Sequence, residues 1–352
     1  MKILYITPEN PFIVTPETGF ARDLAKLGHG VTLLLATNGF NHEILDGDYD
    51  IIVGAMEYSM ALANLIGKLL NKPVYNHMEW VPPWRIKLDP LDKWGYEDST
   101  IDKMDEQKFE FYKGLYKQQV LEWEKATIRS CAGKCLIRTI EPFATKPIDC
   151  EVKYYAPNTE KLEQYRDDTI KEKYQIISTA RLVPHKRIVH VVRALSKLKN
   201  PPHYVIVGYG YEQKQIQDEA DSLGISIEFV GPGDNGIKER KIQESLFSVN
   251  IWAGIPIAES FYYGKPGITY SEDHMVEVFG DSVLYAKPND INDLAKKIQY
   301  YLDNESERKA MGVRGRELMT TNKINMGTQK RLAEDVEQIL LKGIERWKKE
   351  NE

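Results

Sequence analysis

No run of 18 apolar residues occurs in this 352-residue chain, so the sequence offers no helix that would cross a bilayer. Cysteine is scarce. Cys131, Cys135 and Cys150 form no CxxC pair and suit a reducing compartment. The seven histidines are scattered, without HExxH or HxH, and no structural metal is expected. Positive charge is not in excess: the formal net charge is −5, which gives no general attraction for nucleic acid. There is no GxGxxG after the first apolar stretch and no GxxxxGK[ST], so dinucleotide and P-loop readings have little support. The opening Met1-Lys2-Ile3-Leu4-Tyr5-Ile6-Thr7-Pro8 reads as a first buried strand rather than a signal peptide, and a cytoplasmic protein is expected.

What is present is a soluble globular composition, 42% hydrophobic and 28% charged, in a length that favours two domains. Apolar stretches alternate with helical ones. Strands are expected at Lys2–Thr7, Val31–Ala36, Asp50–Gly54, Pro73–His77, Cys135–Arg138 and Val152–Tyr155, with helices such as Ala21–Leu27 and Tyr58–Leu70 between them. Strands buried on both faces and separated by helices predict a parallel α/β sheet. The polar stretch from Pro157 to about Tyr174 is read as a hinge. The pattern then restarts, with strands expected at Gln175–Ala180, His203–Gly208, Ser226–Val230, Val249–Ala253, Pro266–Thr269 and Ser282–Ala286. The expected division is therefore 1–157, an N-terminal Rossmann-like domain; 158–174, a linker; 175–325, a C-terminal Rossmann-like domain; and 326–352, an amphipathic helix packing back across the domains.

Chemistry concentrates after two of the later strands. Gln175–Ala180 runs into Arg181-Leu182-Val183-Pro184-His185-Lys186, two cations five residues apart. Val249–Ala253 runs into Gly254-Ile255-Pro256-Ile257-Ala258-Glu259, a turn and a helix opening with a carboxylate. Two cations and a helix N-terminus can hold a diphosphate without metal, and a nearby glutamate can take a ribose diol. Each residue also has an ordinary reading: solvated loop cations for Arg181 and Lys186, and a dipole-compensating Glu259. Their joint placement favours a nucleotide-sugar donor site, with no other cofactor.

At this point the chain resembles glycosyltransferase family 4, the retaining enzymes of the GT-B fold. Ala180-Arg181-Leu182…Lys186-Arg187 is similar to that family's Gly-Arg-Leu…Lys-Gly. Val205–Gly210 resembles its VIVGxGP element, Phe229-Val230-Gly231 its F-[LV]-G, and Ala258–Pro266 its LEAMAxGxPV helix. Val276-Glu277-Val278 through Leu284–Asp290 resembles PEVV…GLLVPPxD. More loosely, Gly28–Val31 resembles GHxV, Tyr49–Ile52 resembles [FY]-D-[IV]-[IV], Pro73–His77 resembles the strand ending in His, and Ala156-Pro157-Asn158 resembles IPNG. The resemblance implies two Rossmann-like domains facing across a cleft and retaining, metal-independent transfer from a nucleoside-diphosphate sugar. It implies catalytic roles for His77, Arg181, Lys186 and Glu259, and donor contacts at Gly19, Gly208, Val230, Gly254, Ile255, Pro256 and Ile257.

Three positions depart from the family. Ile251 stands where its first glutamate of Glu-x7-Glu would be, the Gly-Gly pair near the start is reduced to Gly19-Phe20, and Ala180 and Arg187 replace glycines. The acidic run Asp46-Gly47-Asp48-Tyr49-Asp50 resembles a DxD metal motif but precedes a buried strand, and is read as its polar cap. The hydroxyl acceptor, a carbohydrate, glycolipid or glycoside, is expected on the N-terminal side. There the aromatic loop Trp80–Tyr96, with Trp80, Trp84 and Trp94, follows His77 directly. From Met104 the stretch is helical, mixing Lys103, Lys108, Lys113 and Lys117 with Asp105, Glu106 and Glu110. That balance weakens a polybasic membrane reading, and peripheral membrane contact stays an open alternative. A non-catalytic nucleotide-sugar binder and a glycosyltransferase acting on nucleic acid are the remaining alternatives.

Overall fold

Long apolar strands alternating with amphipathic helices build two units, each around its own parallel six-stranded sheet. The computed structural model describes residues 1–7, 20–36, 42–79, 106–233 and 235–352. The expected donor residue Gly19 and the aromatic positions Trp80, Trp84 and Trp94 lie outside these residues.

The first unit runs through Tyr155 and takes in Gln329–Glu352. Its elements are β1 (Lys2–Thr7), α1 (Phe20–Lys26), β2 (Gly30–Leu35), β3 (Ile51–Gly54), α2 (Glu57–Leu70), β4 (Val74–Met78), α3 (Glu106–Glu124), β5 (Ile128–Cys131), α4 (Lys134–Ile140) and β6 (Glu151–Val152). The strand order is β2-β1-β3-β4-β5-β6, all parallel. One expectation fails here. Cys135–Arg138, read as a strand, is helical: Cys135, Leu136, Thr139 and Ile140 are buried at a spacing that only a helix puts on one side. The strand is Ile128–Cys131, hidden in the sequence because Arg129 and Ser130 look solvated and are in fact buried.

The second unit holds α5 (Thr159–Gln164), β7 (Gln175–Thr179), α6 (Ile188–Leu195), β8 (His203–Val207), α7 (Gln213–Leu223), β9 (Ile227–Gly231), α8 (Ile237–Glu244), β10 (Ser248–Val249), α9 (Gly254–Tyr262), β11 (Gly267–Tyr270), α10 (Asp273–Phe279), β12 (Leu284–Ala286), α11 (Ile291–Asp303) and α12 (Glu305–Thr320). Strand order is β12-β11-β10-β7-β8-β9. Read from its other edge this is the doubly wound order 3-2-1-4-5-6, which reverses direction between β7 and β10. β10 is shorter than expected. The Asn250 side chain takes the Thr179 N–H at 2.8 Å, and Trp252 then turns the chain left-handed at φ 56°.

The polar stretch 158–174 is bonded into this second unit. Glu172 accepts from Lys265 at 2.7 Å and from Arg308 at 3.2 Å, and the Asp167 N–H donates to Gln243 at 2.9 Å. The closing helix α13 (Gln329–Asn351) lies on the sheet of the first unit, so closely that a Cβ on Gly343 would meet Ile128 Cγ2 at 2.6 Å. Glu337 bonds His29 at 2.7 Å, and Lys342 bonds Glu151 at 2.8 Å.

Helix α9 is held in place by α12, which crosses it on glycines. A Cβ on Gly312 would sit 1.9 Å from the Gly264 carbonyl oxygen, whereas a Cβ on Gly114, exposed within α3, would meet nothing. Gly312→Ala should therefore lower unfolding free energy by about 1–3 kcal/mol or more through overpacking. Gly114→Ala should raise it by about 0.5–1 kcal/mol. Urea denaturation of both variants checks the contrast, and equal midpoints would contradict the close approach.

Candidate functional site

The direction of the second sheet reverses between β7 and β10, and ligands of such sheets bind at the strand C-termini beside that switch point. The two loops that leave there are the ones carrying the expected donor residues. After β7, Leu182 is fully buried and its N–H donates to the Tyr209 carbonyl at 2.9 Å, which leaves neighbouring Arg181 exposed. Lys186 ends a short 3-10 turn, Pro184–Lys186, and its Nζ donates to the carbonyl of Trp252 in the other loop. An ammonium is thus set just ahead of α9. Ala253 caps α9 with no side-chain acceptor, and Pro256 has no N–H, so Gly254 and Ile255 supply the first-turn donors that favour an anion.

The glycines of this region have packing roles. Gly208 sits at φ 141°, and a Cβ there would lie 1.8 Å from the Ala180 carbonyl oxygen; one on Gly210 would lie 2.2 Å from that of Leu182. The β8 loop therefore lies directly on the backbone of the Arg181 loop. Gly208 N–H also donates to the Gly231 carbonyl at 2.6 Å, beside the half-buried Val230. Arg187, where a glycine was expected, does adopt the left-handed conformation, at φ 51°. Its side chain pays for that strain by bonding Asn289 and lying 5.5 Å from the Tyr270 ring centre.

Glu259 is not in the first turn of α9, as read from the sequence, but in its second, and it is buried. By helical rise it lies ~7.5 Å along the axis from Gly254. Its Oε1 accepts from Lys238 Nζ at 2.6 Å, and Lys238 lies 3.7 Å from Glu239. Burial alone would lower the Lys238 ammonium, but Glu259 and Glu239 outweigh it and hold it above its usual range. Sequence reasoning missed Lys238, which stands in a polar helix with nothing local to mark it. The side chain of Ile257 is fully buried in the core, so any ligand contact there is through backbone; Ile255 and Pro256 are half-buried. Ile251 is likewise core, 1% exposed.

Within the first unit His77 is the next-to-last residue of β4, not its end as expected from the sequence, and is a fully buried ring with both nitrogens engaged. Tyr155 donates its one proton to Glu79, so it accepts from His77 Nε2 at 3.2 Å. Nδ1 then accepts from Ser130 Oγ at 2.7 Å, and Ser130 accepts from Tyr75. The chain is directed: Tyr75 to Ser130 to His77 to Tyr155 to the Glu79 carboxylate. Burial, with Lys153 adding, holds the imidazole neutral. Lys153 itself is 3% exposed, 3.3 Å over the Phe20 ring, and its Nζ has no hydrogen-bond partner among the described residues. Its one signal in the sequence was a lysine within the apolar stretch Val152–Tyr155.

Asp48 of the acidic run pairs with Lys2 at 3.1 Å and Lys72 at 3.5 Å, and Asp50 accepts the Lys2 N–H at 2.7 Å, at the opening end of β1. Among the described residues no group of three or more His, Cys, Asp or Glu could hold a metal ion, and no helix is long and apolar enough to cross a membrane.

Residues 161–318 match the family of glycosyl transferases group 1. The second unit is a group 1 glycosyltransferase domain. Several solved structures share the whole fold at low identity. HepE of Anabaena, solved with UDP and glucose, is 13% identical with a TM-score of 0.70, covering 97% of this chain and 100% of its own. Sucrose-phosphate synthase of Thermosynechococcus elongatus is 14% identical with a TM-score of 0.72, covering 97% and 98%. A glycosyltransferase of Rickettsia africae is 16% identical with a TM-score of 0.59, covering 97% and 98%. The paired parallel sheets are those of the GT-B fold. No curated protein matches the chain in sequence.

The group 1 domain holds one histidine beside these cations whose titration can be read. Burial first, then Lys186, Arg181 and Arg187, lower the His185 pKa from 6.5 to about 3. Between those values the unfolded chain binds a proton that the folded one does not. Stability is therefore full above pH 6.5 and falls as pH drops below it. His185→Gln should lose less stability than the parent protein between pH 7 and pH 5, read as urea midpoints. Equal losses would contradict the lowered His185 pKa.

Proposed function

We propose that the protein is a retaining, metal-independent glycosyltransferase that moves a sugar from a nucleoside-diphosphate donor to a hydroxyl acceptor. The observation that carries this reading is the placement of Lys186 and the uncapped N-terminus of α9 together at the switch point of the group 1 domain. The diphosphate would lie on Lys186, Arg181 and the Gly254 and Ile255 N–H groups. Glu259, held by Lys238, would take the ribose diol one turn further along.

As the bond from the sugar carbon to the diphosphate oxygen breaks, negative charge builds on the leaving phosphate, and fixed cations stabilise it without reorganising. The acceptor hydroxyl then attacks from the face the diphosphate leaves and gives its proton to the departing phosphate oxygen. The anomeric configuration is retained, and no carboxylate nucleophile is called for. The acceptor is assigned to the N-terminal unit, where the His77–Tyr155–Glu79 chain sits at strand C-termini. We place the activity in the cytoplasm, with no cofactor beyond the nucleotide sugar.

UDP and UDP-glucose, which HepE binds, are the first ligands to test. Lys186→Ala and Arg181→Ala should each lower turnover at least a hundredfold, from ~3 kcal/mol of lost charge stabilisation, with the fold retained by circular dichroism. Turnover should persist in excess EDTA, and proton NMR of the product should show the donor's anomeric configuration. Wild-type kinetics in either variant would remove the diphosphate assignment. EDTA loss restored by Mg²⁺ would remove metal independence, and tight nucleotide binding without any turnover would favour the binder.

A further inference from the structure

The first unit holds a pair of thiols that the donor chemistry does not use. Cys131 ends β5, and Cys150 directly precedes β6, the edge strand of that sheet. The parallel register sets Cys131 opposite Val152, so Cys150 stands two residues before that partner and on the same face. Their Sγ atoms are 3.8 Å apart. Cys131 is fully buried, while Cys150 is half-buried at the end of an irregular segment whose Pro147 and Asp149 are exposed.

A disulfide needs a sulfur separation of about 2.0 Å. The remaining gap falls on the Cys150 side, where no helix or interior strand holds the backbone. We propose that Cys131 and Cys150 are a peroxide-sensitive dithiol that closes to an intramolecular disulfide. The Cys150 thiolate attacks one peroxide oxygen, forming its sulfenic acid as the oxygen–oxygen bond breaks and hydroxide leaves. Cys131 sulfur then attacks the sulfenic sulfur, the S–S bond forms, and a second hydroxide leaves. Both leaving groups take up the thiol protons, so two thiols and one peroxide give one disulfide and two waters.

The roles are not interchangeable. The contact between the two sulfurs holds the Cys150 thiol below its usual range against burial, with Arg129 adding, while the same contact and burial push Cys131 up, its own Sγ–H donating to the Gly133 carbonyl at 3.3 Å. Cys150 is also the one that peroxide reaches. The bond would fasten the edge strand to β5, between Ser130, which holds His77, and the segment that carries Lys153 and Tyr155. Cys135 gives an internal control, because it lies in α4 outside the strand pair.

The full-length protein is treated with hydrogen peroxide, alkylated, digested and analysed by mass spectrometry. The expected result is a peptide pair joining Cys131 to Cys150 with the loss of two hydrogens, reversed by dithiothreitol, while Cys135 stays alkylated. Cys131→Ser should trap a dimedone-reactive sulfenic acid on Cys150, and Cys150→Ser should leave Cys131 alkylatable. Should Cys131→Ser not fold, the parent linkage and Cys150→Ser decide the matter. Alkylation of both cysteines after peroxide, linkage through Cys135, or linkage only between chains overturns the proposal.

Discussion

The bond from the Lys186 ammonium to the Trp252 carbonyl is the contact on which the proposed donor site depends. It joins the loop after β7 to the loop after β10, the two that flank the reversal of strand order. A lysine placed there brings positive charge to a helix terminus that is already electropositive. Both features favour an anion beside them. The surrounding irregularities serve the same end. Trp252 accepts a left-handed backbone that turns its carbonyl toward Lys186, and its indole lies against His185 and His274 at 5.9 and 4.6 Å between ring centres. Gly208 and Gly210 let the β8 loop lie on the Arg181 loop and fix its path.

The N-terminal unit is organised by the opposite rule. Its polar groups are turned on one another: His77 spends both nitrogens on Ser130 and Tyr155, and the chain terminates on Glu79. A neutral, doubly bonded imidazole positions Tyr155 and Glu79 more than it offers itself to a ligand. Lys153, buried over Phe20 without a hydrogen-bond partner among the described residues, is costly unless neutral, and burial holds its ammonium well below its usual range, with Glu79 opposing.

Much of the fold was legible because a parallel sheet buries continuous apolar runs, and eleven of the twelve expected strands overlap an observed one. The exceptions have physical causes. Ile128–Cys131 escaped because Arg129 and Ser130 satisfy themselves inside the protein, Arg129 against the Trp123 ring at 5.2 Å and Ser130 on His77. Cys135–Arg138 is too short for periodicity to separate helix from strand. At the candidate site, Arg181, Lys186 and the Gly254 turn could be read because each stands at the end of an apolar run. Lys238 could not, since its pairing with Glu259 spans two helices, and neither could the Tyr155–Glu79 partnership or the approach of Cys131 to Cys150, which only the folded chain brings about.

The central claim is that the switch point of the group 1 domain is a nucleoside-diphosphate site. Amide hydrogen exchange on the full-length protein, with and without saturating UDP, tests it most directly. The account predicts that protection rises in the peptides covering Arg181–Arg187 and Trp252–Glu259, with the rest of that sheet unchanged. Protection confined to other segments, or none at a UDP concentration that calorimetry shows to be saturating, would contradict it.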